Sequence, residues 1–178
     1  AFGDYADYLK SLEMKAVIRP FDAPHVERLT QLINKTNQFN LTTRRYTQSE
    51  VEALVGDKGY ITLYASLADK FGDNGITAAL IAKLEGDTAA IELWVMSCRV
   101  FKRDLEKAVF DRLVAQCRAL GVGRITGRYL PTAKNLFCKD FYATIGFEPT
   151  GGSDAGEKDY VFTVPADYAP QCTVIDVQ

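Results

Sequence analysis

The sequence predicts an α+β fold: a central mixed, mostly antiparallel sheet flanked by helices. Three observations carry this reading. Apolar runs of strand length alternate with segments of helical period. The strands of residues 60–97 follow one another through short turns, which makes them antiparallel neighbours. A strand–helix–strand unit then spans residues 88–130, and such a crossover brings a parallel pairing into the sheet.

The elements read in order as follows. Met14–Arg19 is a first strand, closed by turn residues Pro20 and Asp22. Residues 25–34 place Val26, Leu29, Leu32 and Ile33 on one helical face. Residues 34–46 are polar, rich in Asn, Thr and Arg, and follow neither period. Thr47 and Glu50 form a capping box with Val51, Leu54 and Val55 behind it. Strands are expected over 60–67, 75–84 and 88–97; Asp73 and Asn74 read as a turn, and Glu85, Gly86 and Asp87 close a hairpin. Leu105, Val109, Leu113, Cys117 and Leu120 recur at three or four over 104–120, with Gly121 as the stop. A strand over 123–130, a helix over 135–145 ending at Gly146, and a strand pair over 147–150 and 159–164 complete the series β-α-α-β-β-β-α-β-α-β-β.

At 178 residues the chain suffices for one domain. Its 47% hydrophobic and 25% charged residues are ordinary globular values. A net charge of −2 offers no broad basic field for nucleic acid or an anionic membrane, though a local cluster can still meet one phosphate. Cys98, Cys117, Cys138 and Cys172 match no CxxC or zinc spacing, and reduced thiols in a cytoplasmic protein are the simplest reading. Cys117 and Cys138 lie on helices as core residues. Cys98, beside a helix start and Arg99, has the surroundings of a nucleophile, but a small buried thiol is the plainer expectation. His25 is the sole histidine and reads as a surface residue, so neither a His-based triad nor a metal site is expected. The chain starts at Ala1 without Met, which suggests a piece of a longer protein, although a removed Met would look the same.

The segment 135–147 carries Asn135-x-x-Cys138-x-x-x-Tyr142-x-x-x-Gly146-Phe147. At helical spacing Asn135, Cys138 and Tyr142 share a face. This pattern and the element order resemble the GNAT superfamily of acyl-coenzyme A N-acyltransferases, with Cys138 in place of a small Ala. The resemblance implies that Asn135 contacts the pantetheine-bearing donor. It also implies that Tyr142 is the general acid protonating the departing thiolate. The family's phosphate loop, R/Q-x-x-G-x-G/A, corresponds to residues 99–104. Arg99 is kept, whereas Lys102 and Asp104 replace the glycines. A Cβ at either position hinders close backbone approach, and Asp104 sets a negative charge, or a helix cap, where an anion would dock. Lys102 and Arg103 offer compensating charge, and Lys134 lies near enough in sequence to meet a phosphate.

A narrower resemblance rests on LINKTNQFNLTTRRY (32–46), FGDNG (71–75), WVMSCRV (94–100), YLPTAKN (129–135) and the opening DYADYLKSLEM (4–14). Together they are similar to the C-terminal half of FkbH-like proteins. That family implies that residues 1–13 are a linker from an absent N-terminal HAD-like domain and 14–178 the GNAT-like domain, with an acyl carrier protein as partner and a glyceryl or similar acyl thioester on phosphopantetheine, in polyketide extender unit biosynthesis. The lost glycines then acquire a meaning: a carrier-borne arm has one phosphodiester and needs no pyrophosphate cradle. The implied cofactor is carrier-bound phosphopantetheine or coenzyme A, met through Asn135, Arg99, Lys102 and Arg103, with no metal. Asn37, Asn40, Thr42, Thr43 and Arg44 are the expected substrate donors. Two alternatives stand beside acyl transfer on a carrier protein: an N-acetyltransferase using free coenzyme A, and a non-catalytic carrier-protein docking module.

Overall fold

Residues 4–178 are described in a computed structural model. The strands are β1 (Met14–Arg19), β2 (Phe39–Asn40), β3 (Tyr60–Asp69), β4 (Gly72–Glu85), β5 (Thr88–Met96), β6 (Arg124–Tyr129), β7 (Glu148–Gly152), β8 (Lys158–Thr163) and β9 (Ile175–Val177). They form one mixed sheet in the order β7-β8-β6-β5-β4-β3-β1-β9, with β2 paired to β5 off that path. The β5–β6 and β1–β9 pairs are parallel and the others antiparallel. The α+β expectation therefore holds.

Helices α1 (Tyr5–Ser11), α2 (Val26–Lys35), α3 (Gln48–Leu54), α4 (Leu105–Ala119) and α5 (Phe141–Thr144) cover the two faces. Leu29 and Ile33 of α2 and Val51 of α3 pack on Ile81, Leu93 and Val95. On the other face Val109, Leu113 and Cys117 of α4 meet Leu63, Leu80 and Trp94. One irregularity sets which residues of β5 face which layer. The pairing steps from Ile81↔Leu93 to Ala82↔Ile91, so Glu92 is an extra residue, a bulge. Ile91 and Leu93 thereby point to opposite layers, and Trp94 turns toward α4.

Four departures from the sequence reading matter. The stretch read as a linker is helix α1 over its described part, capped by Asp4, with Leu9 and Leu12 buried in the core. The hairpin turn near 70 falls at Lys70–Phe71, while Asp73 and Asn74 sit in the irregular start of β4. The polar stretch contributes β2. The expected long helix over 135–145 is a 3₁₀ turn, Leu136–Cys138, followed by the four-residue α5. Its regular bonding is interrupted because Asn135 is held from the side and Phe141 and Tyr142 are drawn in against Trp94. Among the described residues, no helix is long and apolar enough to cross a membrane.

Candidate functional site

Strands β5 and β6 pair only through Thr88↔Arg124, Ala89↔Ile125 and Ala90↔Thr126, and then part. Beyond that vertex the free edge of β5 is taken by the chain itself. Phe39 pairs with Met96 and Asn40 with Val95, and Leu41 N donates to Trp94 O at 3.4 Å. On the far side Leu130 N donates to Leu41 O at 2.9 Å, so residues 39–41 bridge the two diverging strands. The Phe39 ring enters the aromatic layer beneath, 4.8 Å from Phe141 and 6.4 Å from Trp94 between centroids. The insert is secured from outside by Asn34, whose side chain exchanges bonds with both backbone groups of Tyr46. Its turn is closed by Asn40 Oδ1, which accepts Thr43 N at 2.8 Å. Thr43 is left at φ +54, a left-handed conformation that is strained for a β-branched residue.

Asn135 is fully buried and holds this insert. Its Nδ2 donates to Asn40 O at 2.8 Å and Leu130 O at 3.0 Å, and its Oδ1 accepts Thr132 N at 2.7 Å and Tyr129 OH at 3.2 Å. All the amide's strong directions are therefore used inside the protein. Tyr142 lies under the vertex. Its ring crosses β6 so closely that a Cβ on Gly127 would fall 2.4 Å from the phenol carbon that bears the hydroxyl. The side chain is 1% exposed, and its hydroxyl has no hydrogen-bond partner among the described residues. Burial holds that hydroxyl well above the ordinary phenol range. Trp94 Nε1, in ring contact with Tyr142, is equally buried and unpartnered. The proton donor expected at Tyr142 is thus beside the parting of the strands but sealed from solvent in this conformation.

The loop before α4 shows the reverse pattern. Lys102 and Asp104, which stand where the family motif has glycine, have φ values of +63 and +67. The backbone keeps a conformation that glycine adopts without strain. Asp104 precedes α4 without a side-chain capping bond, so the cap suggested by sequence is positional only. Arg103 is not free for a phosphate: it pairs with Asp69 at 2.7 Å and ties the loop to the β3–β4 hairpin. The Lys102 carbonyl accepts the Tyr5 hydroxyl of α1. A shallow apolar cleft of about 300 Å³ opens between this loop and α5, with Phe39 as one wall and Phe101, Leu136 and Phe137 as others. Glu106 reaches it with a raised carboxyl pKa, caused mainly by burial. Neither this carboxyl nor Asp104 suits a pyrophosphate, and β2 fills the gap an extended arm would need. The resemblance-implied coenzyme therefore does not fit this conformation.

The expected substrate donors are dispersed. Thr42 and Arg44 line a cleft of about 840 Å³ between the parted strands and β8. Thr42 Oγ1 donates to Glu92 O at 2.8 Å, and Arg44 pairs with Glu92 at 2.9 Å while lying over the Tyr46 ring. Asn37 faces a separate groove with Arg99, and Asn40 is buried in the insert. Thr43 is half-buried in the turn. Cys98 is exposed, against the expectation of a buried thiol, whereas Cys117 and Cys138 are core. His25 bonds Asp22 through Nδ1 at 2.5 Å, and Lys134 is exposed. Glu92 and Gly127 escaped the sequence reading, because only the bulge and the ring contact give them significance.

No protein-family model matches this chain, and no curated protein does. Solved structures do. A GNAT-family acetyltransferase from Streptococcus pneumoniae superposes with a TM-score of 0.66 at 15% identity, covering 85% of this chain and 100% of its own. The GNAT domain of S. lividans PAT gives 0.65 at 16% identity, with 82% and 89% covered. A GNAT-superfamily phosphinothricin acetyltransferase from Sinorhizobium meliloti, solved in complex with AcCoA, gives 0.63 at 14% identity, with 90% and 95% covered. Identities this low speak to architecture. Over this coverage they show that the chain has the GNAT fold.

Proposed function

We propose that this domain acts in acyl transfer from a thioester on the phosphopantetheine arm of an acyl carrier protein, a glyceryl or similar unit being the group carried. One observation carries the reading: two buried polar groups, the Tyr142 hydroxyl and Trp94 Nε1, are left without partners among the described residues where β5 and β6 part. Such groups cost about 1–3 kcal/mol each, and their persistence calls for a ligand that satisfies them. In this reading the segment 39–41 would withdraw and the arm would take the edge of β5; an acceptor nucleophile would form the new bond to the acyl carbon, and Tyr142 would give its proton to the sulfur as the C–S bond breaks. In this reading Arg99 and Lys102 meet the phosphate of the arm, and Arg103, paired with Asp69, has a supporting role. A carrier-borne arm suits the loop better than free coenzyme A, since Lys102 and Asp104 obstruct a pyrophosphate.

A second reading is favoured by the insert itself. With Asn135 fully engaged on residues 39–41, the domain serves as a non-catalytic docking module for the carrier protein. Presenting an acyl-loaded carrier protein to the domain and following loss of the thioester separates the two. Transfer that falls about 100-fold or more in Tyr142→Phe supports catalysis. Binding without transfer, indifferent to Tyr142→Phe, supports docking. Coenzyme A bound as tightly as the carrier protein would overturn the dedication to a carrier.

A further inference from the structure

We infer that the groove between the C-terminal half of α2 and the turn after β5 is a site for a phosphate ester, separate from the loop before α4. The groove has a volume of about 380 Å³, and its lining includes Arg28, Lys35 and Arg99 but no carboxylate. In a chain of net charge −2, three cations from two distant segments converge there unopposed. None of the three has a carboxylate partner among the ion pairs of the described residues. Arg28 spends one nitrogen on Ile76 O at 3.3 Å, which fixes its guanidinium and leaves its other N–H groups available.

A helix C-terminus ordinarily repels anions, because its last carbonyls are bare. Here that charge is covered. Arg45 donates to Ile33 O at 2.7 Å and Thr36 O at 3.1 Å, and Thr36 Oγ1 donates to Leu32 O at 2.6 Å. Arg45 thus adds a fourth positive charge behind the groove. Two planar guanidinium forks and one ammonium match the oxygens of a phosphate ester better than a single carboxylate.

The groove also has a direction. Met96 and Phe101 line both it and the apolar cleft beside Phe137. A ligand with its phosphate on Arg28, Lys35 and Arg99 therefore lays its tail across Phe101. Phosphopantetheine has that form, and to this extent the inference rests on the carrier-arm reading. It departs from that reading's sequence basis, however, because it separates Arg99 from Lys102 and Arg103.

The test is titration of the chain with 4′-phosphopantetheine, pantetheine and inorganic pyrophosphate at low and high salt. Phosphopantetheine should bind at least about tenfold tighter than pantetheine, the scale of one charge-assisted hydrogen bond, with the margin shrinking as salt rises. Lys35→Gln with Arg99→Gln should abolish that margin while leaving the melting temperature unchanged, since neither side chain is buried. Pyrophosphate bound in the parent and lost in the double variant, with no binding of either pantetheine compound, would uphold the anion site and sink the carrier-arm reading. A margin that survives the double variant, or disappears instead in Lys102→Gln, would place the phosphate elsewhere and overturn the inference. Absence of binding by every anion would overturn it equally.

Discussion

The segment 135–146 and the loop 99–104 depart in opposite ways from the motifs they resemble. The first keeps the residue types and turns them inward: Asn135 clamps the chain's own strand and Tyr142 is sealed beneath it. The second has lost the residues and kept their backbone, with left-handed turns at Lys102 and Asp104. Residue identity and backbone conformation are thus separately retained. A motif is evidence for a geometry only where the partners of its side chains are also known.

The largest test of this contrast is Asn135→Ala. It strips four bonds, two of them buried and two part-buried, and should cost about 2–4 kcal/mol in denaturant unfolding. It should also speed amide exchange at Leu41 and Leu130. Unchanged stability would mean that the amide is free for a ligand, and the contrast would fail. Next is Tyr142→Phe, which removes a buried hydroxyl with no partner and should stabilise the chain by about 1 kcal/mol. A loss of stability would reveal a bond that the hydroxyl makes in solution.

Smaller effects follow at the loop. Lys102→Gly and Asp104→Gly each relieve a left-handed residue worth about 1–2 kcal/mol, offset in part by glycine's greater unfolded-state freedom. A net gain under about 1 kcal/mol apiece is expected from the melting temperature, and the double variant should bind coenzyme A more tightly than the parent. Marked destabilisation would show that the two side chains hold the loop.

The smallest effect is on pH dependence. Burial pushes the Cys138 and Cys117 thiols up from 9.0 to about 11. Their folded-state pKa values are raised, so the unfolded chain releases these protons first. Their stabilising contribution is complete below about pH 9 and is lost between about 9 and 11. Cys138→Ala should flatten that decline, read from denaturant midpoints taken at roughly pH 8 and pH 10. An unaltered decline would mean that the thiol is reached by water.

The strongly periodic elements were legible in the sequence because hydrophobic spacing alone determines them. Met14–Arg19 and the apolar face of 25–34 are of this kind. The insert was not legible. Phe39 and Leu41 are isolated apolar residues in a polar run, and the insert's partners lie far away in sequence: Trp94 against Phe39 and Asn135 on Asn40 O. Helix α1 was missed because a short segment with two tyrosines and two aspartates in its first half resembles a tether until Leu9 and Leu12 find the core. The turns at Lys102 and Asp104 were hidden for the opposite reason: the residue types argue against the conformation they adopt. Candidate residues could therefore be named from the sequence, while their arrangement could not.

Trp94 is the chain's only tryptophan, and its indole is wholly buried among Phe39, Phe110, Phe141 and Tyr142 with Nε1 unbonded. An indole in so dry a setting emits at short wavelength. Any ligand that expels Phe39 brings amides or water to this ring. The molecule therefore contains its own optical gauge of whether the strand over β5 is in or out, requiring neither a label nor a mutation.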